Sequence, residues 1–566
     1  MLTLALLAML SVGAAQERVT PPQPPAAQST SATEKEQSYR VSGTVVDAAS
    51  GAPLSGAQVT ITSRSTQDAE GVLTDEEGRF AFENLAAGKY VLSAKRTGYL
   101  EQLYKQHQQF STAIITGPGL NTANLRFELR PGASISGVVT DEAGEPVRNA
   151  QVTLIQREVF MGRRNTFQRG GTITNDLGQF RFGHLTPGTY FIAVSATPWY
   201  AQRSQQMVFS RTTVLDRTRQ TVESGSELIP AEPEFDVVYA TIFFPNSLDL
   251  AGAAPITVRS GDAEVADVRL QAVPGARIIV RTPAPKEGEN VWANVTQQWI
   301  EGQRLSVPAA TLQIAPGVLE ISGLPVGRVD VDVTVNNNKG TRSTSRRQSV
   351  EVSGADTEIS IGEGSPPVRL SGVARFDDGS SLTSAPRLQL RSTTSGAWYQ
   401  LQSEKDGTFE VKGDGVARGA YELWVMPARE PQVVKSIRAT NAKATSDRGF
   451  EVTGAGDVKL DVVLSRGTGT ITGFALKDSR PLDGVMVALV PEQPERNLVL
   501  FRRDQSDSDG SFNLAGVHPG KYTLIAIENG WDIEWLEPGA LKKYLASGER
   551  IEVTPNAKLE VKVNVQ

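Results

Sequence analysis

Cysteine is absent from the sequence, and histidine occurs only three times, as His107, His184 and His518. The absence of cysteine excludes disulfide bonds, thiolate-ligated metals and thiol catalysis. The three histidines are far apart, and no HxxE, HExxH or HxH pattern provides the ligands of a catalytic zinc. The GxSxG motif of serine hydrolases is also missing. We therefore expect no metal or other cofactor and no enzymatic activity.

The sequence also lacks an excess of positive charge and any long apolar run. The chain has 57 Lys and Arg residues against 63 Asp and Glu residues, a net charge of -6 at pH 7, which argues against a nucleic-acid partner. An N-terminal apolar run, residues 2–12, precedes the small residues Gly13-Ala14-Ala15 and is too short for a membrane helix of about 20 residues. This pattern predicts a signal peptide over residues 1–15. We therefore expect a protein that is secreted, either extracellular or at the cell surface or periplasmic, with no membrane span after cleavage.

Internal repeats carry the main structural signal of the sequence. Similar blocks begin at Val41, Ile135, Leu370 and Ile471, and a weaker copy begins at Arg277. Most of these starts lie about 100 residues apart, which is the size of an immunoglobulin-type β-sandwich. Apolar and polar residues alternate within the blocks with the period of a half-buried strand. The 52 glycines and 31 prolines supply the turns that many short strands need.

Each block also contains a turn signature and a later strand signature. In the first block, Gly78 stands two residues before the core residue Phe80, and the other blocks repeat this offset. A glycine at a fixed offset predicts a left-handed backbone position that closes a hairpin. Acidic residues before this glycine are expected to cap the turn through their side chains. A Gly-x-Tyr strand follows, as at Gly88 to Tyr90.

The complete pattern resembles a known domain family. Residues 41–47 read VSGTVVD, residues 51–59 read GAPLSGAQV and residues 74–94 read TDEEGRFAFENLAAGKYVLSA. These motifs are similar to those of the carboxypeptidase regulatory-like domain. The resemblance implies a prealbumin-like (transthyretin-like) Greek-key sandwich, and the wider carbohydrate-binding-like superfamily of this domain favours a glycan ligand.

We therefore predict an all-β protein that forms a tandem array of about five Greek-key β-sandwich domains, prealbumin-like or Ig-like in type. Because the junctions between the domains are short, we expect an elongated, end-to-end array. The predicted segments are a signal peptide (1–15), a disordered Pro-rich linker (16–38), sandwich one (39–130), sandwich two with an insertion (131–273), a degenerate sandwich three (274–365), sandwich four (366–465) and sandwich five (466–566).

Domain two is the predicted ligand-binding member, because it is the longest and is rich in arginine. The predicted ligand-binding residues are Trp199, Tyr200, Arg163, Arg164 and Arg203. An exposed indole suits the face of a sugar ring, and guanidinium forks favour an anionic polysaccharide. Two alternatives stay open. The aromatic ring packs under the following loop, or the arginines pair with acidic groups of domains one or three.

Taken together, these features predict a secreted or cell-surface binding and scaffold protein whose favoured ligand class is carbohydrate. The expected partners are a polysaccharide or a protein of the cell envelope. The alternative is a purely structural spacer, or a protein-interaction module of an envelope assembly, that has no ligand of its own. Sugar binding by an isolated domain distinguishes the two.

Overall fold

The computed structural model describes the chain from residue 38 to residue 566, apart from short gaps. The gaps are residues 161, 203–204, 215–219, 230–231, 233, 301–302, 338–342, 363–366, 394–397, 413–414, 427–431, 455, 493, 495–496, 498–499 and 538. The predicted signal peptide, residues 16–37 of the predicted linker and Arg203 lie outside the described residues.

The prediction of an all-β tandem array of sandwiches is confirmed, and the first domain shows the plan. Its strands are β1 (Tyr39–Asp47), β2 (Gln58–Ser63), β3 (Ala69–Leu73), β4 (Arg79–Leu85), β5 (Gly88–Lys95), β6 (Gln102–Leu103), β7 (Ile114–Thr116) and β8 (Leu125–Leu129). One sheet has the order β4-β1-β8, and the other has the order β3-β2-β5-β6 with β7 also paired to β5. The first strand lies between an antiparallel neighbour, β4, and the parallel last strand, β8.

The second domain repeats this plan and adds a hairpin. Its strands are β9 (Ala133–Thr140), β10 (Gln151–Phe160), β11 (Arg163–Ile173), β12 (Gln179–Leu185), β13 (Gly188–Ser195), β14 (Gln205–Val214), β15 (Gln220–Ile229), β16 (Val237–Tyr239), β17 (Ile242–Phe243), β18 (Ile256–Val258), β19 (Ala263–Val265), β20 (Val268–Arg269) and β21 (Ala272–Pro274). The sheets are β12-β9-β19 and β11-β10-β13-β17, and β14-β15 forms a separate hairpin.

The third domain keeps two four-stranded sheets, with orders β25-β26-β22-β29 and β24-β23-β27-β28. The bounds of these strands are β22 (Ala276–Arg281), β23 (Glu289–Ile300), β24 (Gln303–Ser306), β25 (Ala310–Ala315), β26 (Val318–Leu324), β27 (Gly327–Asn337), β28 (Ser343–Val352) and β29 (Thr357–Ser360).

The fourth domain joins its two sheets into one of nine strands. Its strands are β30 (Leu370–Phe376), β31 (Leu388–Ser392), β32 (Trp398–Ser403), β33 (Thr408–Val411), β34 (Gly419–Val425), β35 (Gln432–Thr440), β36 (Lys443–Ala444), β37 (Gly449–Val452) and β38 (Val458–Arg466). The order is β35-β38-β30-β33-β32-β31-β34-β37-β36. Strand β32 joins the two halves, because it pairs with β31 at one end and with β33 at the other.

The fifth domain returns to two sheets. Its strands are β39 (Gly469–Lys477), β40 (Arg480–Pro481), β41 (Met486–Pro491), β42 (Arg502–Gln505), β43 (Ser511–Val517), β44 (Gly520–Ile527), β45 (Glu549–Val553) and β46 (Lys558–Asn564). The sheets are β40-β39-β43, with β46 paired to β39, and β42-β41-β44-β45. A 3-10 helix (Gly530–Asp532) and a short helix, α1 (Lys542–Leu545), lie between β44 and β45.

Five hydrophobic cores fill these sandwiches, and each comes from one continuous part of the chain: 41–129, 133–272, 276–361, 368–464 and 471–565. The repeated phenylalanines Phe80, Phe180, Phe409 and Phe512 are all buried. Each lies directly across from the glycine of the repeat start, respectively Gly43, Gly137, Gly372 and Gly473. The degenerate third domain has Val280 opposite Leu319 at this point. Two side chains of medium size thus replace the glycine and the large phenylalanine, and together they fill the core with a similar volume.

The turn glycines have the backbone that the sequence predicts. Gly78, Gly178, Gly317, Gly407 and Gly510 all have a positive φ, between 69° and 89°. Side chains before the glycine cap the turn, since Asp75 Oδ1 accepts hydrogen bonds from the backbone N–H groups of Glu77 and Arg79. The repeated tyrosines secure the next turn. Each donates its hydroxyl proton to a carbonyl oxygen four residues earlier: Ala86, Thr186, Ala417 and His518.

The expectation of an elongated, end-to-end array is wrong, because the first domain contacts the last. Lys89 forms an ion pair of 2.5 Å with Asp507, whose side chain is only 5% exposed. The backbone N–H of Ser508 donates to the carbonyl oxygen of Ala113 at 2.9 Å. Lys105 also pairs with Asp483 at 2.7 Å. Short junctions fix where each domain starts but not the direction in which it points, so complementary surfaces far apart in sequence can meet.

Domain two takes part in this closed arrangement through two further contacts. The backbone N–H of Leu536 donates to the carbonyl oxygen of Gly162 at 2.9 Å, which brings the β10–β11 hairpin against domain five. On its other side, domain two shares an apolar cluster with domain three. This cluster includes Phe191 and Phe243 from domain two and Trp299 and Leu305 from domain three.

Candidate functional site

Three aromatic residues occupy the same repeat position but have different surroundings. Tyr99 is half-buried and donates a hydrogen bond to Asp47 Oδ2 at 2.9 Å. Trp531 is 5% exposed and stacks on His107 of domain one, with ring centroids 5.1 Å apart and planes 6° apart. Trp199 is 88% exposed. The alternative of a packed ring therefore describes Tyr99 and Trp531, whereas Trp199 presents its indole to solvent.

The surroundings of Trp199 combine aromatic and acidic groups. Its ring meets the ring of Tyr200 edge to face, with centroids 5.6 Å apart. The Tyr200 hydroxyl donates to Glu142 Oε1 at 2.6 Å, and the Tyr239 hydroxyl donates to Glu142 Oε2 at 3.3 Å. Burial opposes ionisation of Glu142, but hydrogen bonds, that of Tyr200 first, outweigh burial and lower the pKa of this carboxyl. The same bond raises the pKa of Tyr200 to about 12. A fixed carboxylate thus lies beside Tyr200, the aromatic neighbour of the exposed indole.

The predicted arginines lie at the other end of the domain. Gln151 of β10 is paired with Ser195, close to Trp199, whereas Arg163 and Arg164 are paired with the far end of β10. A ten-residue strand separates these ends by roughly 30 Å. Arg164 forms an ion pair of 2.6 Å with Glu534 of domain five. The structure therefore brings Trp199 and Tyr200 together but separates them from Arg163 and Arg164. The paired-arginine alternative describes Arg164, although its partner belongs to domain five rather than to domains one or three.

A second candidate surface, a groove, lies on the outer face of domain four, and no sequence motif predicted it. An open groove of about 750 Å³ follows strand β30. Ser371 and Val373 form its floor. Residues paired with this floor on the neighbouring strands form its walls: Glu410, Thr408, Lys459 and Asp461. The lining combines apolar surface with charges of both signs, so the open groove suits an extended chain of mixed side chains rather than a small apolar ligand.

No group of three or more His, Asp or Glu side chains has an arrangement that could hold a metal ion in the described part of the chain. The described residues likewise contain no helix long and apolar enough to cross a membrane.

The fold and the repeated motif define a class, the tandem arrays of Greek-key β-sandwiches. Within this array, the family model of the carboxypeptidase regulatory-like domain matches residues 40–125 and 134–221. The chain therefore contains two tandem copies of this domain, which confirms the resemblance seen in the sequence. No curated protein matches the chain.

Several solved structures are similar to the chain at low sequence identity. The chain is 11% identical to the Bacillus anthracis TIE protein, over 74% of this chain and 68% of that one, with a TM-score of 0.15. It is 11% identical to GBS52, the minor pilin of Streptococcus agalactiae, over 42% and 97% of the two chains, with a TM-score of 0.20. It is 9% identical to BcpA, the major pilin subunit of Bacillus cereus, over 59% and 99%, with a TM-score of 0.14. Similarities this low carry no argument about function.

Proposed function

We propose that the protein is a secreted or cell-surface scaffold that binds carbohydrate at the Trp199 platform, defined as Trp199, Tyr200 and Glu142. The observation that carries this proposal is the exposed indole of Trp199. Its counterparts are both engaged in contacts within the protein. Tyr99 donates a hydrogen bond to Asp47 within domain one, and Trp531 of domain five stacks on His107 of domain one. The N-terminal signal peptide pattern supports secretion.

The chemistry of the platform suits a sugar ring. A flat indole offers a large apolar area at little cost in side-chain entropy, and it matches the C–H face of a pyranose. The edge-to-face contact with Tyr200 holds the indole at an angle of 82° to its neighbour. Glu142 supplies carboxylate oxygens that accept hydrogen bonds from sugar hydroxyls.

The charge of the platform favours a neutral sugar over an anionic one. Glu142 has a lowered pKa and is therefore ionised at neutral pH, so it repels carboxylate, phosphate and sulfate groups. Arg164 is paired with Glu534, and Arg163 lies at the same distant hairpin end. Arg163 and Arg164, two of the arginines that favoured an anionic polysaccharide in the sequence, are thus not available to this platform.

The test is binding of the full secreted chain to neutral and acidic polysaccharides at two salt concentrations. We expect binding to a neutral polysaccharide that changes little with salt, because no charge pairing is involved. Trp199→Ala should weaken it roughly tenfold or more. Trp292→Ala removes a half-exposed tryptophan of domain three and should leave binding unchanged. Absence of binding by the unaltered chain, or equal binding by Trp199→Ala, would contradict the proposal.

The alternative function is a protein-interaction module of an envelope assembly, and the groove of domain four favours it. A groove with charges of both signs along an exposed sheet face accepts an extended polypeptide more readily than a compact sugar. Under this alternative, Lys459→Glu in the groove weakens association with an envelope protein, and Trp199→Ala leaves it unchanged. The paired variants therefore separate the two functions.

A further inference from the structure

A small cavity lies between domains four and five and is distinct from the Trp199 platform. Its volume is about 200 Å³, which limits any occupant to a small group. Domain four contributes Lys435, Asp447 and Arg448 to its walls, and domain five contributes Asn497 and His518. Any ligand bound here would therefore touch both domains.

Two guanidinium groups, those of Arg448 and Arg502, lie close enough to His518 of this cavity to act on its charge. Burial lowers the pKa of Arg448, and the nearby carboxylates Glu422 and Asp447 do not offset this effect. The guanidinium of Arg502 donates hydrogen bonds to the carbonyl oxygens of Phe501 and Gly516 at 2.8 and 2.9 Å. Two buried guanidinium groups thus act on the same small space.

His518 faces these two arginines directly. Burial, followed by the charges of Arg502 and Arg448, lowers the pKa of His518 to about 3, so the imidazole is neutral at physiological pH. Tyr522, packed beside it, donates its hydroxyl proton to the His518 carbonyl oxygen at 2.8 Å. The imidazole therefore lies in a region of positive potential. An anion there would reverse the sign of that potential and favour the imidazolium form.

The acidic residues of the cavity wall do not cancel this positive charge. Asp377 also lines the cavity, and it is paired with Lys435 at 2.8 Å, so these two charges compensate each other. Asp447 also lines the cavity, and it is exposed to solvent. The positive charges of Arg448 and Arg502 therefore still act on the neutral imidazole of His518.

We propose that this cavity binds a phosphate or sulfate group between Arg448 of domain four and His518 of domain five. The guanidinium fork of Arg448 matches two oxygens of a tetrahedral oxyanion. The imidazole of His518 takes a proton from solvent when the anion binds, and the resulting N–H donates to a further oxygen. The bound anion would then hold domains four and five together.

The test uses the full chain with histidine labelled at Cε1, observed by NMR. Only three histidines are present, and His184→Gln and His107→Gln assign the remaining signal to His518. Inorganic phosphate is titrated at constant ionic strength, with chloride as the balancing ion. We expect the His518 signal alone to move, and its midpoint of titration to rise toward the ordinary histidine range near 6.5. Movement with chloride alone, or no movement with phosphate, would overturn the proposal.

Substitutions and a second ligand complete the experiment. Arg448→Gln should weaken phosphate binding roughly tenfold, and Arg448→Lys, which keeps the charge but loses the fork, should weaken it less. Arg438→Gln removes an arginine of the domain four groove and should change nothing. Glucose 6-phosphate distinguishes a site for the free ion from a site for the phosphate group of a larger ligand. A site of the second kind should bind glucose 6-phosphate as tightly as inorganic phosphate, whereas a site for the free ion should not. Equal phosphate binding by Arg448→Gln and the unaltered chain would refute the site.

Discussion

At the scale of single residues, the glycine of each repeat start is required by the sheet that surrounds it. A Cβ at Gly43, Gly137, Gly372 or Gly473 would lie between 1.7 and 2.3 Å from a backbone carbonyl oxygen of the chain segment that runs parallel beside it. Backbone atoms of a central strand cannot move aside as a flexible side chain can. The repeated Ser-Gly and Thr-Gly pairs therefore record a packing requirement rather than a functional one.

Gly137→Ala should destabilise domain two by about 2–4 kcal/mol, because strand β9 must separate from its parallel neighbour or displace Phe180. The added Cβ would meet the Ala266 carbonyl oxygen at 2.3 Å and Phe180 Cε1 at 2.9 Å. Hydrogen exchange resolved by domain measures the change. Gly183→Ala, at a glycine of the same domain with open space around it, is the control. Equal stability of the two variants would show that the close approach is not limiting.

At the scale of elements, the tyrosine hydroxyl closes the turn before each Gly-x-Tyr strand. Where a histidine occupies that turn, the stability of the domain depends on pH. Domain five has His518 in this turn, whereas the exposed His184 of domain two lies just before it, in strand β12. The folded environment lowers the pKa of His518 to about 3 from its ordinary 6.5. The unfolded chain therefore binds a proton more readily than the folded domain does at mildly acidic pH.

Domain five should lose stability as the pH falls below about 6.5, and the loss should continue toward pH 3. At pH 5 the loss attributable to His518 should reach about 2 kcal/mol, since one pH unit of differential protonation corresponds to about 1.4 kcal/mol. Denaturant unfolding in chloride buffer, without phosphate, measures it. His518→Gln should remove this part of the pH dependence, whereas His184→Gln should retain it. An unchanged pH profile in His518→Gln would contradict the assignment.

At the scale of the whole molecule, contact between domains one and five closes the array. Burial raises the pKa of Asp507, against the opposing effect of Lys89. His107 stacks on Trp531, and its Nδ1 lies 3.1 Å from Gln505 Oε1 as a hydrogen-bond donor. The most buried charge of this contact thus depends on a single lysine of another domain.

Lys89→Met should open the contact, because it leaves the Asp507 carboxylate buried without its counter-charge. We expect a loss of about 2–4 kcal/mol in the stability of the closed form and a larger radius of gyration in small-angle scattering. Lys105→Met removes the more exposed pair with Asp483 and should change little. Adding Asp507→Asn to Lys89→Met should restore closure, because it removes the buried charge. An unchanged radius for Lys89→Met would mean that this pair does not hold the domains together.

Much of the fold could be predicted because its determinants are local. The left-handed glycines, the capped turns and the buried phenylalanines depend on residues a few positions apart and on the two-residue period of a strand. The same motifs identified the carboxypeptidase regulatory-like domain, which the family model finds in two tandem copies. Domain three shows the limit of this reasoning. Val280 and Leu319 replace the glycine and phenylalanine there, so the repeat can be recognised by its spacing but not by its residue types.

The sequence by itself determined the strand pattern, the turns and the succession of sandwiches, because neighbouring residues set backbone conformation and side-chain alternation. Only the tertiary structure decided which repeated aromatic stays exposed, Trp199 rather than Trp531, and that Arg164 meets Glu534 instead of a ligand. It also decided the closure through Lys89 and Asp507. These contacts join residues hundreds of positions apart. They depend on how whole domains are oriented, and the residue pattern within a single strand does not determine that orientation.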